Sequence, residues 1–180
     1  MNLHLDGKLK GKKIAILIED LFNVFELWYP YYRLLEEGAE VNVVSPVKGK
    51  TYSGKPATDI VSELSAGESK ASDFDAVVIP GGYAPDIMRR YPEMVRFVKE
   101  MHDTGKIVAA ICHAGWMLCS ADIVKNRNVT SFFAIKDDLV HAGARWEDKD
   151  VIRDKNIITS RKPDDLPVFM KTVINALTGQ

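Results

Sequence analysis

The sequence predicts a doubly wound, flavodoxin-like α/β domain: a mostly parallel sheet with helices on both faces. Three observations carry that prediction. Short β-branched runs, apolar at every position, read as strands buried on both sides; Ile14–Ile18 and Ala76–Ile79 are the clearest. Stretches with helical periodicity alternate with them, the pattern of strand–helix–strand units. Gly38 and Gly105 stand just past two of those stretches, where a helix C-cap belongs.

Taken in order, residues 1–12 are polar, rich in Lys and Gly, and read as a flexible arm, with one domain over residues 13–180. Strands are expected at Ile14–Ile18, Val41–Ser45, Ala76–Pro80, Ile107–Ile111, Val129–Phe132 and Ile157–Ser160. Helices are expected at Asn23–Glu37, Tyr91–Thr104, His113–Val124, Ile135–Ala142 and Asp164–Leu177. The stretches Lys48–Ile60 and Gly143–Asp154 read as small antiparallel additions.

Composition removes several function classes. With 24 Lys and Arg against 25 Asp and Glu, the net charge of −1 argues against a sequence-independent nucleic-acid binder. No apolar run is long enough to span a bilayer, and no apolar secretory stretch stands near the start, so a cytoplasmic protein without a membrane partner is expected. The two cysteines, at 112 and 119, make neither a disulfide framework nor a metal-ligand spacing. No Gly-x-Gly-x-x-Gly fingerprint is present, so neither a dinucleotide nor any other cofactor or metal is expected. His4, His102 and His141 read as isolated surface residues, and Arg89-Arg90 and Arg161-Lys162 as solvated faces.

In this fold class ligands bind beyond the carboxyl ends of the strands, so the residues after each buried run matter most. Val108–Ile111 leads straight into Cys112, and a helix must follow from His113. A strand-to-helix turn that sharp is a nucleophile elbow, here with sulfur at its apex. Ala109, Ala110, Ala114 and Gly115 keep the turn uncrowded. Free N–H groups and partial positive charge at the helix start are expected to lower the thiol pKa. Cys119, beside Met117 and Leu118, reads as core.

Pro80-Gly81-Gly82 after another strand leaves backbone N–H groups facing the crevice. Together with the N–H of His113, such groups make an oxyanion hole beside a nucleophile. Glu26 lies in the otherwise apolar run Val24–Pro30, and a buried carboxyl without a cation keeps its proton. Such an acid beside Cys112 would hydrogen-bond the thiolate and move a proton to substrate.

These residues together resemble the PfpI-type intracellular protease and protein deglycase family, within the class I glutamine-amidotransferase-like superfamily. The resemblance covers residues 13–178 and rests on Glu26–Pro30, Phe74–Ala76, Pro80–Asp86, Ala110–His113, Ile135–Asp138, His141–Ala144 and Thr159–Pro167. It implies Cys112 as nucleophile with His113 beside it, Glu26 in contact with the cysteine, and Gly82 and His113 as oxyanion-hole donors. Asp86 matches the acid that, in the protease-like branch, orients the histidine of a neighbouring subunit, so a homo-oligomer, a dimer or hexamer, is implied. The expected substrates are small reactive carbonyls, in a glyoxalase or deglycase reaction. The alternatives are peptides cut by an intersubunit Cys112–His113–Asp86 triad, or no substrate at all in a redox sensor or stress chaperone. The chain departs from the family where Ala114-Gly115 replaces Gly-Pro and Trp116 follows. Trp116 and Gly81 are therefore read as pocket residues, and Asp86 as a shorter acid than the family's glutamate.

Overall fold

The computed structural model describes residues 6–179. Seven strands form the central sheet in the order β10-β11-β7-β6-β1-β2-β5. They are β1 (Lys13–Leu17), β2 (Glu40–Ser45), β5 (Leu64–Ser65), β6 (Ala76–Ile79), β7 (Ile107–Ile111), β10 (Val151–Asp154) and β11 (Ile157–Ser160). All neighbours run parallel except β10 and β11. A separate hairpin joins β3 (Thr51–Ser53) to β4 (Asp59–Val61), and β8 (Asn128–Val129) pairs in parallel with β9 (Arg145–Trp146).

The helices are α1 (Val24–Glu36), α2 (Ala84–Met88), α3 (Pro92–Asp103), α4 (Gly115–Ser120), α5 (Lys136–His141) and α6 (Leu166–Thr178). From β1 the chain steps through α1 to β2 on one side; from β6 it steps through α3 to β7 on the other. Right-handed crossovers in opposite directions place their helices on opposite faces. α1 packs against α6, and α3 against α4. The doubly wound α/β prediction is correct. Strands β1, β6 and β7 are apolar and buried nearly throughout, as strands covered on both faces must be.

The chain therefore reverses its direction of progress between β1 and β6, and the crevice beyond such a reversal is where this fold class binds ligands. Glu26 follows β1, Gly81 and Gly82 follow β6, and Cys112 follows β7. Three successive strands thus deliver the candidate residues to one end of the sheet.

Some expectations are corrected. Residues 6–12 pack on the body: Leu9 is fully buried and its N–H donates to the Glu37 carbonyl at 2.8 Å. The rest of the expected arm, with His4, lies outside the described residues. Val129–Phe132 is no strand of the main sheet; only Asn128–Val129 is extended, paired with β9. The Thr130 N–H instead donates to the Thr159 hydroxyl, and that of Phe132 to the Cys112 carbonyl. The helix expected over His113–Val124 is a 3₁₀ turn, Cys112–Ala114, followed by the six residues of α4. His102 is half-buried against Asp103 rather than exposed. Arg161 is no solvated cation; Asp148, Asp150 and Asp165 surround its guanidinium. Among the described residues no helix is long and apolar enough to cross a membrane.

Candidate active site

Cys112 occupies the junction of β7 and the 3₁₀ turn with φ of +62°. A side chain in that left-handed region is strained by about 1–3 kcal/mol and persists only where its surroundings enforce it. Here Ile111 is locked into register with Ser160, and the Cys112 carbonyl accepts the Phe132 N–H at 3.3 Å. The elbow read from the sequence is therefore present, and the thiol is 7% exposed.

Gly81 brings Glu26 and Cys112 together. A Cβ at that position would lie 2.6 Å from Glu26 Oε2 and 2.7 Å from Cys112 Cβ, so only glycine fits between them. Its N–H donates to Glu26 Oε2 at 2.7 Å. Gly81 is thus a spacer and anchor rather than an open pocket wall. Gly82 adopts φ of +76° beside Leu21–Asn23, whose backbone would collide with a Cβ. The Tyr83 N–H, donating to the Leu21 carbonyl at 3.0 Å, fixes this loop and with it the direction of the Gly82 N–H.

Glu26 sits in the first turn of α1, whose start is capped by the Asn23 side chain accepting the N–H groups of Phe25 and Glu26. The carboxyl is wholly buried, and Oε1 has no conventional hydrogen-bond partner. Burial raises it from 4.5 to about 7, against the opposing effects of the Gly81 N–H and the Cys112 thiol. Burial, then the Glu26 charge, push the Cys112 thiol up to about 12. The N–H groups of Gly82 and His113 face the sulfur and favour the thiolate without offsetting those two causes.

The lowered thiol pKa expected from a helix start is thereby corrected. α4 is short and begins three residues after the cysteine, whereas desolvation acts on the sulfur directly. Two adjacent buried anions are the costly state, so above neutrality the pair carries one negative charge and one shared proton.

His113 lies half-buried with Nδ1 3.2 Å from the Cys112 sulfur, and burial lowers its pKa, which favours the neutral imidazole. Its ring packs against Phe132 at 4.9 Å and Trp116 at 5.2 Å between centroids. Asp86 makes no contact of this kind. Its two carboxylate oxygens take Arg89 at 2.8 Å and Arg90 at 2.5 Å, and the Arg90 guanidinium leads in holding it below the ordinary carboxylate range. Cys119 is half-buried beside the Asp138 carbonyl, and burial raises its thiol to about 11. Among the described residues no group of three His, Cys, Asp or Glu is placed to hold a metal ion.

The structure thus brings together Cys112, His113, Glu26, Gly81 and Gly82, with Trp116 at their edge, and leaves Asp86 engaged with the two arginines that follow its helix. Sequence reasoning missed Phe132, read as the end of a strand, and Arg89, read as a solvated face. Arg89 in fact covers the Trp116 ring at 5.0 Å.

A profile of the DJ-1/PfpI family matches residues 12–176. The chain belongs to the DJ-1/PfpI family. It is 40% identical to the deglycase PfpI of Pyrococcus furiosus over 165 residues, covering 92% of this chain and 99% of that one. It is 38% identical to protein/nucleic acid deglycase 2 of Escherichia coli over 169 residues, covering 93% and 98%. It is 37% identical to a protein of Bacillus subtilis named as a putative cysteine protease, over 167 residues, covering 93% and 99%. Among solved structures, Drosophila melanogaster DJ-1beta superimposes with a TM-score of 0.86 at 26% identity, covering 94% of this chain and 91% of that one. A two-domain protein of Anabaena variabilis, with DJ-1/PfpI-like and ferritin-like domains, gives 0.90 at 43% identity, covering 93% of this chain and 48% of that chain.

Proposed function

We propose that this member of the family is a cysteine-dependent enzyme acting on small reactive carbonyls, of the glyoxalase or deglycase type. The observation that carries the reading is the strained Cys112 elbow beside a buried Glu26, whose carboxyl is raised to about 7, and two backbone N–H groups. The family supplies relatives named as deglycases, which supports the same direction.

With methylglyoxal, the Cys112 sulfur adds to the aldehyde carbon and the carbonyl oxygen gains the electron pair of the broken π bond. The N–H groups of Gly82 and His113, which favour negative charge at the sulfur, would share that charge. The thiol proton passes to the Glu26–His113 side of the site. Removal of the former aldehyde proton and its return to the adjacent carbon gives a thioester of lactate. Water then cleaves the thioester to lactate and restores the thiol. Aldehyde and ketone exchange oxidation levels within one molecule, so no external oxidant or reductant enters.

Peptide cleavage is a second reading, favoured by the 3.2 Å Cys112–His113 contact and by the relative named as a putative cysteine protease. It would call on Asp86 to orient a neighbouring subunit's histidine in a dimer or hexamer. That role competes with the two arginines that already hold both Asp86 oxygens. A redox or chaperone role is the non-enzymatic reading.

The test is lactate formation from methylglyoxal. Turnover is expected in the native protein and its loss, by a thousandfold or so, in Cys112→Ser. Equal turnover in the two proteins removes the proposal; cleavage of peptides without carbonyl turnover replaces it with the second reading.

A further inference from the structure

Trp116 is held on three sides. Its indole N–H donates to Asp138 Oδ2 at 2.8 Å, the Arg89 guanidinium covers its ring at 5.0 Å, and the His113 ring lies 5.2 Å from it. Arg89 is itself fixed by Asp86 at 2.8 Å. Phe132 also packs on His113: its ring is tilted 30° from the imidazole at 4.9 Å and packs in turn on Phe133 at 4.6 Å. Phe132 is tied to the elbow through its N–H on the Cys112 carbonyl.

We propose that Trp116 and Phe132 are positioning residues that hold the His113 ring at the Cys112 sulfur, with Asp86, Arg89 and Asp138 fixing Trp116. The inference rests on the proposed function only in giving His113 a proton to move. The spacing explains the geometry. His113 lies in the 3₁₀ turn and Trp116 three residues later in α4, so the two side chains rise on the same side of the chain. Two aromatic rings packed on the imidazole restrict its rotation, which keeps Nδ1 on the sulfur.

Asp86 thereby gains a place within its own chain. It acts on His113 through Arg89 and Trp116, by orientation and without a hydrogen bond of its own. Within the one chain, the contacts that orient the His113 ring are these two aromatic rings.

The experiment compares Trp116→Leu, Trp116→Phe and Asp138→Asn with the native protein. Methylglyoxal kinetics are read together with the imidazole nitrogen resonances of His113. Trp116→Leu is expected to lower kcat roughly ten- to a hundredfold, with KM nearly unchanged and the His113 resonances broadened by ring motion. Trp116→Phe keeps a ring against His113 and should restore most of kcat. Asp138→Asn alters an exposed residue, keeps the fold, and is expected to fall in between. Unchanged kcat and unchanged His113 resonances in Trp116→Leu overturn the proposal, as does a rise in KM alone, which would make Trp116 a wall of the pocket. Where the native protein turns over no carbonyl, the function reading fails and the resonances still decide this one: broadening supports it, and identical spectra in Trp116→Leu end it.

Discussion

In the unfolded chain Glu26 loses its proton near 4.5, whereas burial in the fold holds it to about 7. Folding is therefore opposed increasingly as pH rises from 4.5 through 7, because the folded chain must then surrender a proton into a buried site. The difference amounts to about 3 kcal/mol above that window. Glu26→Gln does not titrate and escapes this loss. Its melting temperature relative to the native protein is expected to rise progressively between pH 4.5 and pH 8, by thermal unfolding at fixed salt. Parallel curves across that range would show that the carboxyl is not raised. Gly81→Ala tests the same contact sterically. The added Cβ meets Glu26 and Cys112 at less than 3 Å, so a loss of about 1–3 kcal/mol is expected in chemical denaturation, together with most of the carbonyl turnover. Native-like stability and turnover would mean that the two side chains do not meet at Gly81.

At the scale of elements, the site is assembled by three strand ends and the first turn of α1. The Asn23 side chain satisfies two N–H groups of that turn, including the one on Glu26 itself. Asn23→Ala is expected to destabilise the protein by about 1 kcal/mol and to reduce turnover beyond what the lost folded fraction explains; a stability change without that extra loss would separate the cap from the site. What was legible here followed from residue type. Short runs rich in apolar and β-branched residues announced β1, β6, β7 and β11, and Ile111-Cys112-His113 announced the elbow. What was not legible depended on distant partners. Val129–Phe132 has strand composition, yet Thr159 and the Cys112 carbonyl capture its N–H groups and leave two residues extended. The short helix α2 carries Pro85 near its start and spans too few residues to show a period. The direction of the thiol shift was missed because helix charge is visible in a sequence and desolvation is not.

Across the whole molecule, opposite crossovers from β1 and β6 open the crevice, and one apolar core runs beneath it. Leu9 belongs to that core, although the residues around it have the composition of a loose arm. Leu9→Ala should cost about 2–5 kcal/mol by denaturant unfolding while leaving turnover per folded molecule intact. An unchanged midpoint would return residues 6–12 to the role of an arm. The central claim is that Glu26 and Cys112 share one proton and that the singly ionised pair does the chemistry. The pH dependence of kcat/KM for methylglyoxal, in the native protein and in Glu26→Gln, tests it most directly. The native rate is expected to rise through about pH 7 as the pair loses its first proton, and the variant to be slow without that rise. A variant that keeps both the native rate and the native midpoint would contradict the account.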